Sequence, residues 1–122
     1  MENQTQLEKP RILCLHGSRS SGLILKSEIQ NRWPETMLEK LDLVFLNGAY
    51  LVQGKSGVEE LYDPPYYEWF QANVDFSEFT NFEECVAYIE DYMANNGPFD
   101  GFLGFSQGAV LTAALPGMQN EN

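Results

Sequence analysis

The chain has 122 residues, enough for one hydrophobic core and too few for two. Hydrophobic residues make up 43%, charged residues 20% and aromatics 13%, which excludes disorder, collagen and repeat arrays. With 18 acids against 7 bases the net charge is −11, a surface that phosphate backbones and anionic membranes repel, so neither nucleic acid nor membrane is expected as a partner.

Residues 1–9 read as a polar tail with no apolar stretch of the secretory type, and the domain is expected over 10–122. No apolar run approaches the roughly 18 residues of a membrane helix. Arg11–Leu15 is a short apolar run ended by His16-Gly17-Ser18, the pattern of a buried parallel strand running into a loop. Ser18–Gly22 is a Ser/Gly loop. Leu23–Trp33 carries apolar residues at 25, 29 and 33, a helical spacing, and stops at Pro34. Leu41–Leu46 predicts a second strand, ending at Asn47-Gly48. Residues 48–79 read as an irregular, lid-like loop with Pro64, Pro65 and a dense aromatic set: Tyr62, Tyr66, Tyr67, Trp69, Phe70, Phe76 and Phe79. That set either lines an apolar acyl pocket or packs a small lid on the sheet. The acids Glu59, Glu60 and Asp63 read as a solvated face.

Thr80 and Glu83 fit a capping box at the head of a helix over 81–95. Its stripe is Phe82, Cys85, Val86, Ile89, Tyr92 and Met93, and Asn96-Gly97-Pro98 stops it. Phe102–Phe105 predicts a third strand, and Gln107–Leu115 a helix ended at Pro116-Gly117. The alternation implies α/β architecture with a three-stranded parallel sheet of order 2-1-3. Right-handed crossovers in opposite directions place helix 81–95 on the face opposite helix 23–33. The strand order reverses between the first and third strands, and ligands of such sheets bind in that crevice. Cys14 and Cys85 lie in apolar contexts and read as buried free thiols of an intracellular protein, cytoplasmic or nuclear. No Cys/His/carboxylate cluster has metal spacing, and no cofactor is expected.

Three motifs carry chemistry. Gly104-Phe105-Ser106-Gln107-Gly108 is a G-x-S-x-G placed between a strand and a helix. A nucleophile elbow needs that placement, because the turn is strained and small flanking residues let the serine stand clear of the sheet. His16-Gly17-Ser18 follows the first strand, where an elbow enzyme draws the second N–H of its oxyanion hole. The two N–H groups are assigned to Ser18 and Gln107. His16 is the only histidine; at the end of a buried strand it is expected to fix the loop through hydrogen bonds rather than act as base. Residues 49–56, ending Gly54-Lys55-Ser56, loosely match a phosphate loop. Its first position is Ala49, its interior is the bulky Tyr50-Leu51-Val52, and Pro64-Pro65 interrupts the following helix, all of which oppose a nucleotide site.

Arg11–Gly17, Leu43–Leu46 leading to Gly48-Ala49, Trp69, Asp63–Phe70 and above all Gly97–Ala109 resemble the fungal and plant family of serine hydrolases, the group of the ovarian-cancer-associated esterases. The resemblance covers about residues 10–119. It implies an α/β-hydrolase fold, of which this chain would hold the N-terminal part with later strands missing. It also implies carboxylic-ester hydrolysis with Ser106 as nucleophile and a small-molecule ester as substrate.

The family's triad Asp and His follow the nucleophile on later strands. Here only Glu121 follows, and no His. The chain is therefore expected to be a truncated or spliced form, catalytically impaired, because serine is a weak nucleophile without an adjacent base. Two alternatives stand beside the esterase reading: a non-catalytic form acting by binding, and a nucleotide-binding module through 49–56. Loss of the later strands would also leave the edge of the third strand open, so self-association through that edge is expected.

Overall fold

The computed structural model describes residues 9–53, 56, 61–72 and 77–121, the last six of them as backbone alone. Most of the polar tail, and Gly54, Lys55, Glu59, Glu60 and Phe76, lie outside the described residues. The order is β1 (Arg11–Leu15), α1 (Gly22–Arg32), α2 (Glu35–Leu38), β2 (Asp42–Leu46), β3 (Tyr50–Val52), β4 (Tyr66–Glu68), β5 (Gln71–Ala72), β6 (Phe79–Thr80), α3 (Phe82–Asn96), β7 (Gly101–Gly104) and α4 (Gln107–Glu121).

β2, β1 and β7 form a parallel sheet in that order, the expected 2-1-3 arrangement of a partial α/β-hydrolase fold. Alternation along β1 sorts its side chains between the two faces. Leu13 and Leu15 join Cys85, Val86 and Ile89 of α3 and Leu111 and Leu115 of α4 in the larger core cluster. Cys14 faces the other way, onto Leu25 and Ile29 of α1. The helices thus cover both faces, and the strands are apolar on both sides for that reason.

Arg11 anchors the end of the sheet remote from the motifs. Its backbone N–H donates to Asp100 Oδ2 at 2.8 Å, and its guanidinium donates to the carbonyls of Asn96 and Pro98 at 2.7 and 3.1 Å. The same group lies 4.6 Å from the centre of the Phe99 ring.

Four elements differ from the sequence expectation. The stretch 48–79 is not wholly irregular: β3 pairs with β4, and β5 with β6, as two short antiparallel ladders. Pro34 does end α1, but one turn of helix, α2, follows at once, since proline lacks only an N–H that a helix start leaves unbonded. The capping box is not formed. Thr80 is in β6 opposite Gln71, and the N-cap is Asn81 with φ 66 and no side-chain cap. Asn81 Nδ2 donates instead to Gln71 Oε1 at 2.6 Å. Finally, α4 runs through Pro116-Gly117 to Glu121. A proline there removes one bond, to the carbonyl of Thr112, and the helix continues past it.

Candidate active site

The site lies where the C-terminal ends of β1 and β7 meet. Phe105 donates its N–H to the carbonyl of Leu15 at 3.2 Å, which holds the turn after β7 against the end of β1. Ser106 follows with φ 58, in the left-handed region that non-glycine residues avoid, and its side chain is exposed. The two glycines of the motif make that turn possible. A Cβ at Gly104 would collide with the carbonyl oxygen of Gly108, and one at Gly108 with the carbonyl oxygen of Leu15. Strand, turn and helix therefore touch backbone to backbone at these two positions.

The loop after β1 comes alongside. A Cβ built on Gly17 would lie 3.3 Å from the Cβ of Ser106 and 3.2 Å from Phe105 Cδ2. The structure thus brings together Gly17, Gly104, Ser106 and Gly108, with Ser18 next in the loop and exposed. Gln107 is the first residue of α4, so its N–H has no earlier helical carbonyl to bond.

His16 is wholly buried and fully bonded. Gly48 donates its N–H to His16 Nε2 at 2.9 Å, so Nε2 carries no proton. Nδ1 then carries the proton and faces the Gly17 carbonyl at 2.6 Å. The ring stacks on Trp69 with centroids 4.8 Å apart. Burial pushes its pKa down from 6.5 to about 4, against the smaller upward pull of the Gly17 carbonyl. Neither nitrogen is free to take a proton from Ser106. The two cysteines are equally unsuited to chemistry: both are buried free thiols, and burial pushes each up to about 12.

Sequence reasoning left the aromatic set either lining an acyl pocket or packing a lid; in the structure its Tyr67–Phe70 part runs across the site. Tyr67 and Ser20 exchange both backbone hydrogen bonds, N–H of Ser20 to Tyr67 at 3.0 Å and N–H of Tyr67 to Ser20 at 2.5 Å. Trp69 is wholly buried, and its indole Nε1–H donates to the carbonyl of His16 at 2.8 Å. The Gln107 side chain accepts from the Trp69 N–H at 3.1 Å and donates to the Phe70 carbonyl at 2.8 Å. Tyr66 and Phe70 are buried as well, so part of the aromatic set belongs to the core. The signals in the sequence were the crowding of aromatics around Pro64-Pro65 and the part of Asp63–Phe70 in the family resemblance.

The phosphate-loop-like stretch does not curl over its described part: Tyr50–Val52 is the strand β3, and Ser56 donates its hydroxyl to the carbonyl of Arg19 at 2.5 Å. No group of three or more metal-ligating side chains occurs among the described residues. No helix among them is long and apolar enough to cross a membrane.

The chain is similar in sequence to several curated esterases. Esterase FUS5 of Gibberella fujikuroi is 34% identical over 114 residues, an alignment covering 89% of this chain and 48% of that protein. Esterase C25G4.2 of Caenorhabditis elegans is 35% identical over 116 residues, covering 88% of this chain and 50% of that one. Esterase OVCA2 of Danio rerio is 28% identical over 130 residues, covering 91% and 57%. The chain spans about half the length of these curated relatives. The family described as "Serine hydrolase (FSH1)" matches residues 3–122. A match that takes in nearly every residue decides membership: the chain belongs to the FSH1 serine hydrolase family.

Proposed function

We propose that the protein is a carboxylic-ester hydrolase whose nucleophile is Ser106 Oγ. The observation that carries this reading is the backbone of Ser106, exposed at φ 58 in a turn that Gly104 and Gly108 alone allow. A residue held in such a conformation is retained where its placement serves a function. Ser106 would attack the carbonyl carbon of a small-molecule ester, and the N–H groups of Ser18 and Gln107 would receive the negative charge that develops on oxygen.

Attack also needs a base. His16, the one histidine in these 122 residues, spends both ring nitrogens on Gly48 and Gly17, and Glu121 is the one acid after Ser106. With elbow and oxyanion donors alone, acylation is expected at about 10³–10⁴-fold over water, far short of a full triad. The test is a fluorophosphonate probe applied to the chain. Slow labelling confined to Ser106 and lost in Ser106→Ala is expected. Labelling that survives Ser106→Ala removes the nucleophile assignment, and labelling as fast as a complete serine hydrolase means that a base is present after all. Retained ester binding without any label favours a non-catalytic binding role, the reading that the bound-up His16 supports.

A further inference from the structure

We infer that the four residues Tyr67–Phe70 act as a splint that fixes the spacing of the two oxyanion donors, with Trp69 and the Gln107 carboxamide as its positioning residues. The inference rests on the reading of Ser106 as nucleophile and extends it to side chains that touch no substrate.

At one end the splint holds the loop that carries Ser18. Tyr67 makes two backbone bonds to Ser20, two residues beyond Ser18, and the Trp69 indole bonds the carbonyl of His16, two residues before it. The loop is thus gripped on both sides of its donor. At the other end the splint holds the residue that carries the second donor. The Gln107 carboxamide behaves as a peptide group laid beside Trp69-Phe70, accepting from one N–H and donating to the next carbonyl. Four extended residues reach at most about 14 Å, so the linkage between the two donors is short. The His16–Trp69 stack stiffens it from the side.

Catalysis makes this spacing matter. An oxyanion donor works only within about 2.7–3.1 Å of the developing charge, and a misplacement near 1 Å costs about 10²-fold. The contact between Leu15 and Phe105 fixes the base of the loop, but Ser18 lies three residues further out. The splint supplies the restraint there.

The test uses Trp69→Phe, which keeps an aromatic ring but deletes the indole N–H together with the second ring, and Gln107→Met, which keeps length and deletes both side-chain bonds. Fluorophosphonate saturation kinetics on Ser106 separate probe affinity from maximal rate, with melting followed in parallel. Each variant, compared where it is fully folded, is expected to lose about tenfold in maximal rate with little change in half-saturation. Gln107→Glu adds a pH readout. A protonated Glu again accepts from Trp69 and donates to Phe70, so its rate relative to wild type rises as pH falls from 7 to 5, whereas that of Gln107→Met does not. If wild-type Ser106 labels and the variants match it, the splint is overturned and the nucleophile stands. If wild-type Ser106 never labels, the nucleophile reading falls. The splint is then judged on exchange of the Trp69 indole N–H: at least tenfold faster exchange in Gln107→Met supports it, and unchanged exchange overturns it.

Discussion

Gly48 donates its backbone N–H to Nε2 of His16 at 2.9 Å, which fixes the imidazole as a neutral ring with its proton on Nδ1. A second proton would have to break that bond inside the core. The folded pKa is accordingly down from 6.5 to about 4, with burial as the main cause.

The sign of the linkage follows. Between those two values the unfolded chain binds a proton that the folded chain refuses, so stability rises with pH there. The contribution is complete above pH 6.5 and is lost as pH falls towards 4, about 2 kcal/mol of it between pH 7 and pH 5. Urea unfolding at the two pH values should show this loss in the wild type and a flatter response in His16→Gln. Because His16 is the only histidine, its imidazole signal can also be titrated directly by NMR. A midpoint near 6.5 in the folded state would contradict the assignment.

Ser106 should trade stability for its position. Glycine accepts φ 58 without a Cβ penalty, so Ser106→Gly is expected to gain about 1 kcal/mol while losing all labelling. Ser106→Val, β-branched at the same φ, should lose stability. Denaturant midpoints decide it, and a Ser106→Gly less stable than wild type would mean that the turn is not strained.

Two glycines, one at the elbow and one at the far end of β7, should respond in opposite ways to alanine. Gly108→Ala places a methyl against the carbonyl of Leu15, and a loss of about 3 kcal/mol or more is expected as strand and helix are forced apart. Gly101→Ala meets only Ile12 Cδ1, at 3.4 Å, and should leave stability equal or slightly raised. Equal effects in thermal melts would remove the case for close backbone contact at the elbow.

Among the described residues β7 pairs with β1 alone, so its other edge is open. Leu25, Ile29, Trp33, Leu103 and Phe105, together with the charged Glu28 and Arg32, line a groove of roughly 260 Å³, and Phe105 is 64% exposed. Such an edge is a template for a further strand. The net charge of −11 opposes contact between copies, but at about 0.15 M salt it acts over roughly 8 Å only. These 122 residues alone are expected to self-associate, with a light-scattering mass that grows with concentration and falls in Phe105→Asp. A monomer at every concentration, with protected amides along β7, would refute this.

β1 and β2 were legible as apolar runs ended by His16-Gly17 and Asn47-Gly48, and α1 and the greater part of α3 by helical spacing with a stop residue. The ladders β3–β4 and β5–β6 were not, since strands of two or three residues have no period to read. The capping box failed because a local rule met a tertiary bond, Asn81 to Gln71, that the rule does not see. In the site, Ser106 announced itself through its flanking glycines. Trp69 stood out as an aromatic, but its bonds did not, because its partners His16 and Gln107 lie 53 and 38 residues away in sequence. His16 could be placed in a supporting role, but Gly48 as its donor depends on where β2 ends in space.

The central position of β1 also has a consequence for synthesis. β1 precedes both of the strands that flank it, and Arg11 waits for Asp100, 89 residues later. At about 5–20 residues per second the interval lasts several seconds. Until α3 is made, Leu13 and Leu15 have only β2 and the aromatic stretch to cover them, and the carbonyls that will meet Gly108 face water to the end of the interval. The nascent chain carries β1 with one edge unpaired until β7 and the serine turn are made, which marks this interval as one in which chaperone binding matters.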